Sequence, residues 1–234
     1  MNNNEEKKFI NNSFKRLNIF TGHFGSGKTE ISINFALNLL ETGEKVSLVD
    51  IDIVNPYFCS RDIGKELEDK GLRVIAANKD LSNGELMVVP GEVISAFNDK
   101  SHIAVFDIGG DDMGAVALGQ YNRYFLQEDY NMYLVINNKR PLTETIEHCE
   151  EYLNSIERSS RLKVTHLVSN TNLSSETTIE DVIKGDSLVA ELSNRLKLPH
   201  AFTVCTKEQL IELEGRVKGN LFPIDIFMKK PWER

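Results

Sequence analysis

Gly22-His23-Phe24-Gly25-Ser26-Gly27-Lys28-Thr29 spells the pattern G-x(4)-G-K-[ST], and its flanks give it a structural address. The apolar run from Arg16 to Thr21 reads as a strand. Glu30 to Leu40 reads as a helix, with Ile31, Phe35 and Leu39 on one face and Ile33, Leu37 and Leu40 on an overlapping one. Gly43 predicts its end. Glycines in such a loop let consecutive backbone N–H groups curl around a polyphosphate, and the helix behind it adds the positive end of its dipole. Lys28 is expected to reach the β- and γ-phosphates and Thr29 to ligate Mg²⁺. A nucleoside triphosphate site is therefore predicted in Gly22, His23, Phe24, Gly25, Ser26, Gly27, Lys28, Thr29 and Glu30.

Working outward, the chain alternates strand and helix. Val46 to Val49 predicts a strand ending in Asp50-Ile51-Asp52, Leu72 to Ala76 another, and Ile103 to Phe106 a buried one ending in Asp107. Met132 to Ile136, Val164 to Val168 and a weaker His200 to Val204 follow. Helical spacing runs over Thr143 to Arg158, with Pro141 near its first turn, and a further helix is expected over Ser187 to Leu196. Continuous apolar strands alternating with helices predict an α/β fold: a mostly parallel sheet covered by helices on both faces, with ligands just past the strand C-termini.

The 234 residues are 41% hydrophobic, which suits one substantial core, so residues 16–234 are expected to form a single domain behind a flexible arm, residues 1–15. With 27 basic against 35 acidic residues and no basic block, a nucleic-acid surface is disfavoured. No apolar stretch is long enough to cross a bilayer and the start is polar, which predicts a cytoplasmic protein. Cys59, Cys149 and Cys205 lie far apart and predict reduced thiols instead of disulfides or a metal pair. His148 and Cys149, adjacent on a helix, point about 100° apart and read as a surface histidine beside a core cysteine. The C-terminal run from Leu221 to Trp232 has apolar bulk, but Pro223 and Pro231 leave too little helix for membrane binding, so packing against the body or a partner is expected.

Carboxylates complete the predicted site. Asp50 and Asp52, two apart in extended chain, point to the same side, where they can serve a metal-bound phosphate. Asp107 fits the apolar-strand-then-Asp feature that holds a Mg²⁺-bound water. The step Asp107-Ile108-Gly109-Gly110 lets Gly110 present its backbone N–H to a γ-phosphate and move after hydrolysis. Asp111 and Asp112 read as solvated.

This combination resembles the MinD/ParA-like division of P-loop NTPases, within the SIMIBI class, a division that also holds the nitrogenase iron protein, metal-centre assembly ATPases and dethiobiotin synthetase-like ligases. The resemblance spans roughly Leu17 to Thr206. Gly22 to Glu30, Asp52-Ile53-Val54-Asn55-Pro56-Tyr57-Phe58 and Asp107 to Asp112 are similar to a bacterial subgroup of those ATPases. The resemblance implies that Asp52 orients the attacking water, that Asp50 lies near the Mg²⁺ shell, and that Asn170, after the strand ending in Ser169, reads the base. The segment after Leu198-Pro199-His200, as far as Lys207, would supply the other wall of that pocket. An amide both accepts and donates at the adenine edge. The guanine pattern Asn-Lys-x-Asp is absent: Asn138-Lys139-Arg140-Pro141 lacks the acid and Asn170 lacks the lysine. ATP, or its product ADP, is the expected ligand, with Mg²⁺. Partition and division-site ATPases carry a second lysine that crosses to a partner subunit's nucleotide; here that place holds His23. A neutral imidazole is no substitute for a permanent charge.

Three functions follow as expectations. The first is a slow Mg²⁺-dependent ATPase, with Lys28 and Asp52 as catalytic residues and Thr29, Asp50, Asp52 and Asp107 around the metal. It would switch conformation to act on a protein partner, with a nucleotide-dependent homodimer as one form. The second is an ATP-dependent phosphotransferase or ligase, and the third a non-hydrolysing module that recruits a metalloenzyme client.

Overall fold

The computed structural model describes residues 14–51, 61–76, 91–110, 112–174 and 176–228. In chain order these form β1 (Leu17–Thr21), α1 (Lys28–Glu41), β2 (Val46–Asp50), α2 (Arg61–Asp69), β3 (Arg73–Ala76), α3 (Gly91–Asn98), β4 (Ile103–Asp107), α4 (Asp112–Gln120), α5 (Asn122–Phe125), β5 (Tyr130–Ile136), a 3-10 turn (Pro141–Thr143), α6 (Ile146–Ser160), β6 (His166–Ser169), α7 (Ile179–Leu196), β7 (His200–Thr206), α8 (Leu210–Leu213) and β8 (Leu221–Ile224).

The strands make one eight-stranded sheet in the order β3-β2-β4-β1-β5-β6-β7-β8, and every pairing is parallel. Alternation along β1 sends Ile19 to one face and Phe20 to the other, so each face acquires its own core. On the Phe20 side lie α1, with Ile31, Phe35 and Leu39, and Leu67 of α2. On the Ile19 side Phe97, Leu118, Phe125, Leu153 and Val189 carry α3 to α7. The connection after β1 runs to one side of the sheet and the one after β4 to the other, so the crevice where ligands bind such sheets opens at the C-terminal end of β1.

Several elements differ from the sequence reading. Helix α6 starts at Ile146 because the Thr145 hydroxyl accepts the His148 N–H and caps it; the residues before it form the 3-10 turn. Strand β6 joins the ladder only at His166, opposite Tyr133. Helix α7 begins at Ile179, eight residues before the predicted Ser187, in a capping box between Thr178 and Asp181. Gly185 lies buried within it, where the helix passes close to Thr171. Strand β8 was missed, since Pro223 argues against a strand; as an edge strand it tolerates the missing N–H. Phe14 and Lys15, assigned to the flexible arm, are anchored, Phe14 against the α1-side core and Lys15 to Asp129 at 3.3 Å.

Cys149 and Cys205 are free and buried, and His148 is exposed. Among the described residues no helix is long and apolar enough to cross a membrane.

An alanine in a helix interior ordinarily stabilises by about 1 kcal/mol over glycine. At Gly185 a Cβ would stand 1.7 Å from the Thr171 hydroxyl oxygen. Gly185→Ala is therefore expected to destabilise, by about 1–3 kcal/mol as an overpacked site does, measured by urea denaturation.

Candidate functional site

Between β1 and α1 the loop of residues 22–27 closes on Gly27, which caps α1 in a left-handed conformation with no side-chain cap. The first N–H groups of α1 thus have no side-chain cap to bind them and point toward any anion lodged in the loop. The loop's carbonyls are held from outside. Asn170, buried after β6, donates to the Ser26 carbonyl at 2.6 Å. Asn137, just after β5, and Arg140 both donate to the Gly25 carbonyl, at 3.3 and 3.2 Å. The buried Lys28 ammonium donates to the His23 carbonyl at 3.3 Å, within the loop it serves.

Thr29, one residue into α1, donates its hydroxyl to Asp107 at 2.6 Å. Asp50 and Asp107 are paired positions on neighbouring parallel strands, both 2% exposed. Two carboxylates side by side in a buried spot repel one another, and burial of charge demands a counter-charge. Among the described residues no three metal-ligating side chains cluster, so a cation here would depend on phosphate oxygens as well as protein. That donor set, one hydroxyl and buried carboxylate oxygen, suits Mg²⁺, which takes oxygen ligands and retains waters. Thr29 and Asp107, with Asp50 beside them, are the residues that would hold it. Asp52, Asp111 and the segment from Asn55 to Ser60 lie outside the described residues.

Gly110 sits directly on the phosphate loop. Its carbonyl accepts the Phe24 N–H at 3.1 Å and the Tyr152 hydroxyl, from α6, at 3.3 Å. A Cβ on Gly110 would meet Phe24 N at 2.6 Å and Lys28 Nζ at 2.7 Å, so only glycine fits this approach. Gly110 thus meets the loop through its carbonyl, a contact distinct from the predicted one of its N–H with a γ-phosphate. His23 packs edge-on to Tyr152, ring centres 5.8 Å apart. Burial pushes the His23 imidazole below 6.5, a hydrogen bond with the Phe24 backbone opposes this, and the charges of Lys28 and Arg140 push it further down. Burial, with the neighbouring cations, thus favours the neutral imidazole. The phenyl ring of Phe24 is 59% exposed.

Beyond Gly27 a cavity of about 410 Å³ is lined by Asn170, Thr171, Thr206, Gln209, Ile226 and Met228, among others. It adjoins the phosphate loop through Asn170, which bonds the Ser26 carbonyl. Glu30 also borders it, but its carboxylate accepts the Phe227 and Met228 N–H groups, at 3.0 and 2.6 Å. One turn on, Asn34 exchanges two 2.8 Å bonds with the Asp225 backbone. Glu30, predicted as a nucleotide contact, is thus the anchor of the segment after β8, and burial raises its pKa above the ordinary carboxylate value against the two N–H bonds. A larger cavity of about 650 Å³, between α1 and β8, is lined by none of the predicted site residues, whereas the smaller one has Glu30 and Asn170.

Sequence reasoning missed Asn137, Arg140, Tyr152 and the segment 225–228. Tyr152 carries no local signal. The spacing of Glu30 and Asn34, four apart on one face of α1, is the signal that could have found the last.

No family model and no curated protein sequence matches the chain. Solved structures do. Chloroplast FtsY from Physcomitrella patens aligns with a TM-score of 0.54 at 15% identity over 84% of this chain and 64% of its own. The signal recognition particle receptor FtsY from Elizabethkingia anophelis, in complex with GDP, aligns at 0.53 and 17% over 84% and 62%. FlhF complexed with GTP and Mg²⁺ aligns at 0.50 and 14% over 83% and 67%. The chain thus spans less than two thirds of the two FtsY structures. The likeness shows the fold alone: the α/β P-loop NTPase fold, a parallel sheet with helices on both faces, that these structures share.

Because burial and the Lys28 and Arg140 charges disfavour the His23 imidazolium, triphosphate affinity is expected not to depend on its charge. Wild type and His23→Gln should show the same change in MgATP affinity between pH 6.5 and 8 by titration calorimetry. A loss of affinity with rising pH confined to the wild type would contradict this.

Proposed function

We propose that this chain is a Mg²⁺-dependent ATPase whose slow hydrolysis switches the segment around Gly110 and acts on a protein partner. The carrying observation is that the phosphate loop is bonded directly to the Asp107–Gly110 segment, the Phe24 N–H donating to the Gly110 carbonyl. In this reading a triphosphate seated in the loop alters that bond, and loss of the γ-phosphate lets it re-form. The Tyr152 hydroxyl passes that movement to α6.

In the proposed reaction a water oxygen bonds to the γ-phosphorus while the bond to the β–γ bridging oxygen breaks. The electron pair leaves on ADP, and the water's proton is released. Mg²⁺, when bound, neutralises charge on the β- and γ-oxygens. Lys28 binds the same oxygens from the loop, Thr29 and Asp107 position the cation, and Asp52 orients the water. Turnover is expected to be slow because the partner-reaching lysine is replaced by His23, which packs on Tyr152 of its own chain.

ATP is preferred to GTP on the chemistry of the cavity. Guanine presents N1–H and N2–H₂ donors, which call for a carboxylate. Glu30 is the one carboxylate among the described residues lining the cavity, and both its oxygens are taken. FlhF and FtsY are described with GTP and GDP, so the base is a point to test. One observation favours a phosphotransferase or ligase as second reading: His23 stands where the partner-reaching lysine of the switch ATPases would be.

MgATP should bind and be hydrolysed, equimolar MgGTP should compete poorly, and Lys28→Ala should abolish hydrolysis and weaken binding at least about tenfold. Unchanged binding in Lys28→Ala would refute the site. Preference for GTP would refute the base assignment alone, and ADP release only with a small acceptor would favour the second reading. Tyr152→Phe deletes one hydrogen bond to the Gly110 carbonyl, about 1 kcal/mol, and should raise the ratio of ATP to ADP affinity about fivefold by calorimetry.

A further inference from the structure

The turn after β5 carries two adjacent cations with different fates. Lys139 is neutralised by Asp181 at 2.6 Å. Arg140 has no carboxylate partner among the described residues; its one hydrogen bond there runs from Nε to the Gly25 carbonyl. Its guanidinium lies flat on the crest of the phosphate loop. A Cβ on Gly25, whose φ is +73°, would meet Nη2 at 2.8 Å and Cζ and Nε at 2.9 Å. The glycine at 25 therefore makes the room that Arg140 fills.

The turn presenting Arg140 is rigid. The Arg140 N–H bonds to the Asn137 carbonyl at 3.0 Å, and Thr143 returns bonds to Arg140 and Asn137 through its N–H and hydroxyl, at 2.9 and 2.7 Å. Pro141 holds Arg140 in extended backbone, φ −112° and ψ 136°. Asn137 in turn ties the turn to the same Gly25 carbonyl and to the Asn172 carbonyl after β6. A part-buried guanidinium held without a counter-ion against a loop built to receive an anion is placed to complete its charge balance with that anion.

We propose that Arg140 is an intramolecular arginine arm: anchored by Nε on Gly25, it extends its two Nη groups over the crest to the polyphosphate of the bound triphosphate. There it faces Lys28 across the chain of phosphates and stabilises the charge that develops on the departing diphosphate. The arm rests on the reading of the site as a triphosphate hydrolase. Its place is on the solvent side of the loop, where it supplies in the chain itself the positive charge that His23 does not.

The test uses the full chain with Arg140→Ala and Arg140→Lys, first checked for unchanged melting temperature. Binding and turnover of MgATP by the wild type test the hydrolase reading on their own; failure there refutes that reading and not the geometry of the arm. Given wild-type turnover, Arg140→Ala should lower kcat about 10²-fold, the loss of one preorganised donor to a transition state, with the MgATP dissociation constant changed much less. Millimolar guanidinium should restore part of that rate in Arg140→Ala and none in the wild type. Arg140→Lys, a point charge without the fork, should remain impaired. A kcat within about threefold of wild type, or ADP and ATP affinities falling together with no guanidinium rescue, would overturn the proposal and leave Arg140 a buttress of the loop. If the alanine variant melts early, the lysine variant's kcat decides: full wild-type turnover overturns the arm.

Discussion

A phosphate loop aims its N–H groups inward at its ligand, so its outward carbonyls must find donors elsewhere, and the site depends on that constraint. Here the donors come from different strand ends. Asn170 after β6 takes Ser26, while Asn137 and Arg140 after β5 take Gly25. On the opposite flank the Gly110 carbonyl after β4 takes the Phe24 N–H. A buried polar backbone group without a partner costs about 1–3 kcal/mol, so this scaffold is part of the loop's stability as well as its shape. It can be assembled only where parallel strands bring all their C-terminal ends to one edge.

The same register sets the electrostatics. Asp50 and Asp107 face each other across β2 and β4, and Thr29 reaches Asp107 from α1. Buried carboxylates at this spacing are tolerable only near positive charge. Lys28 lies in the adjoining loop, and the proposed Mg²⁺ fits the same need. On the far side of the loop Arg140 has no carboxylate partner among the described residues, whereas Lys139 beside it pairs with Asp181.

The cavity beside Asn170 is shaped by a different kind of contact. Glu30 and Asn34 project from α1 and bind the chain after β8 through its backbone, with side chains acting as a short ladder. This brings Ile226 and Met228 to the cavity beside Asn170 and Gln209. The first turn of the helix that carries Thr29 thus also holds the cavity's outer wall.

The strand, loop and helix from Leu17 to Glu41 are legible in the sequence because they are local: apolar periodicity, glycines and a lysine-threonine pair within a span of some two dozen residues. The apolar strands ending in Asp50 and Asp107 are legible for the same reason, and with them the parallel sheet. Where local signals conflict with packing, the sequence misleads. The helix expected from Ser187 begins at Ile179, with Gly185 inside it where Thr171 needs the space, and Pro223 hides an edge strand. The sequence by itself determined the chemistry available at the phosphate loop, because that chemistry is written in consecutive residues. Only the tertiary structure decided that Tyr152 holds Gly110, that Glu30 serves the C-terminal segment and that Arg140 lies on Gly25. Each of these joins residues tens of positions or more apart, and such contacts exist only once the sheet has set the ends of its strands side by side.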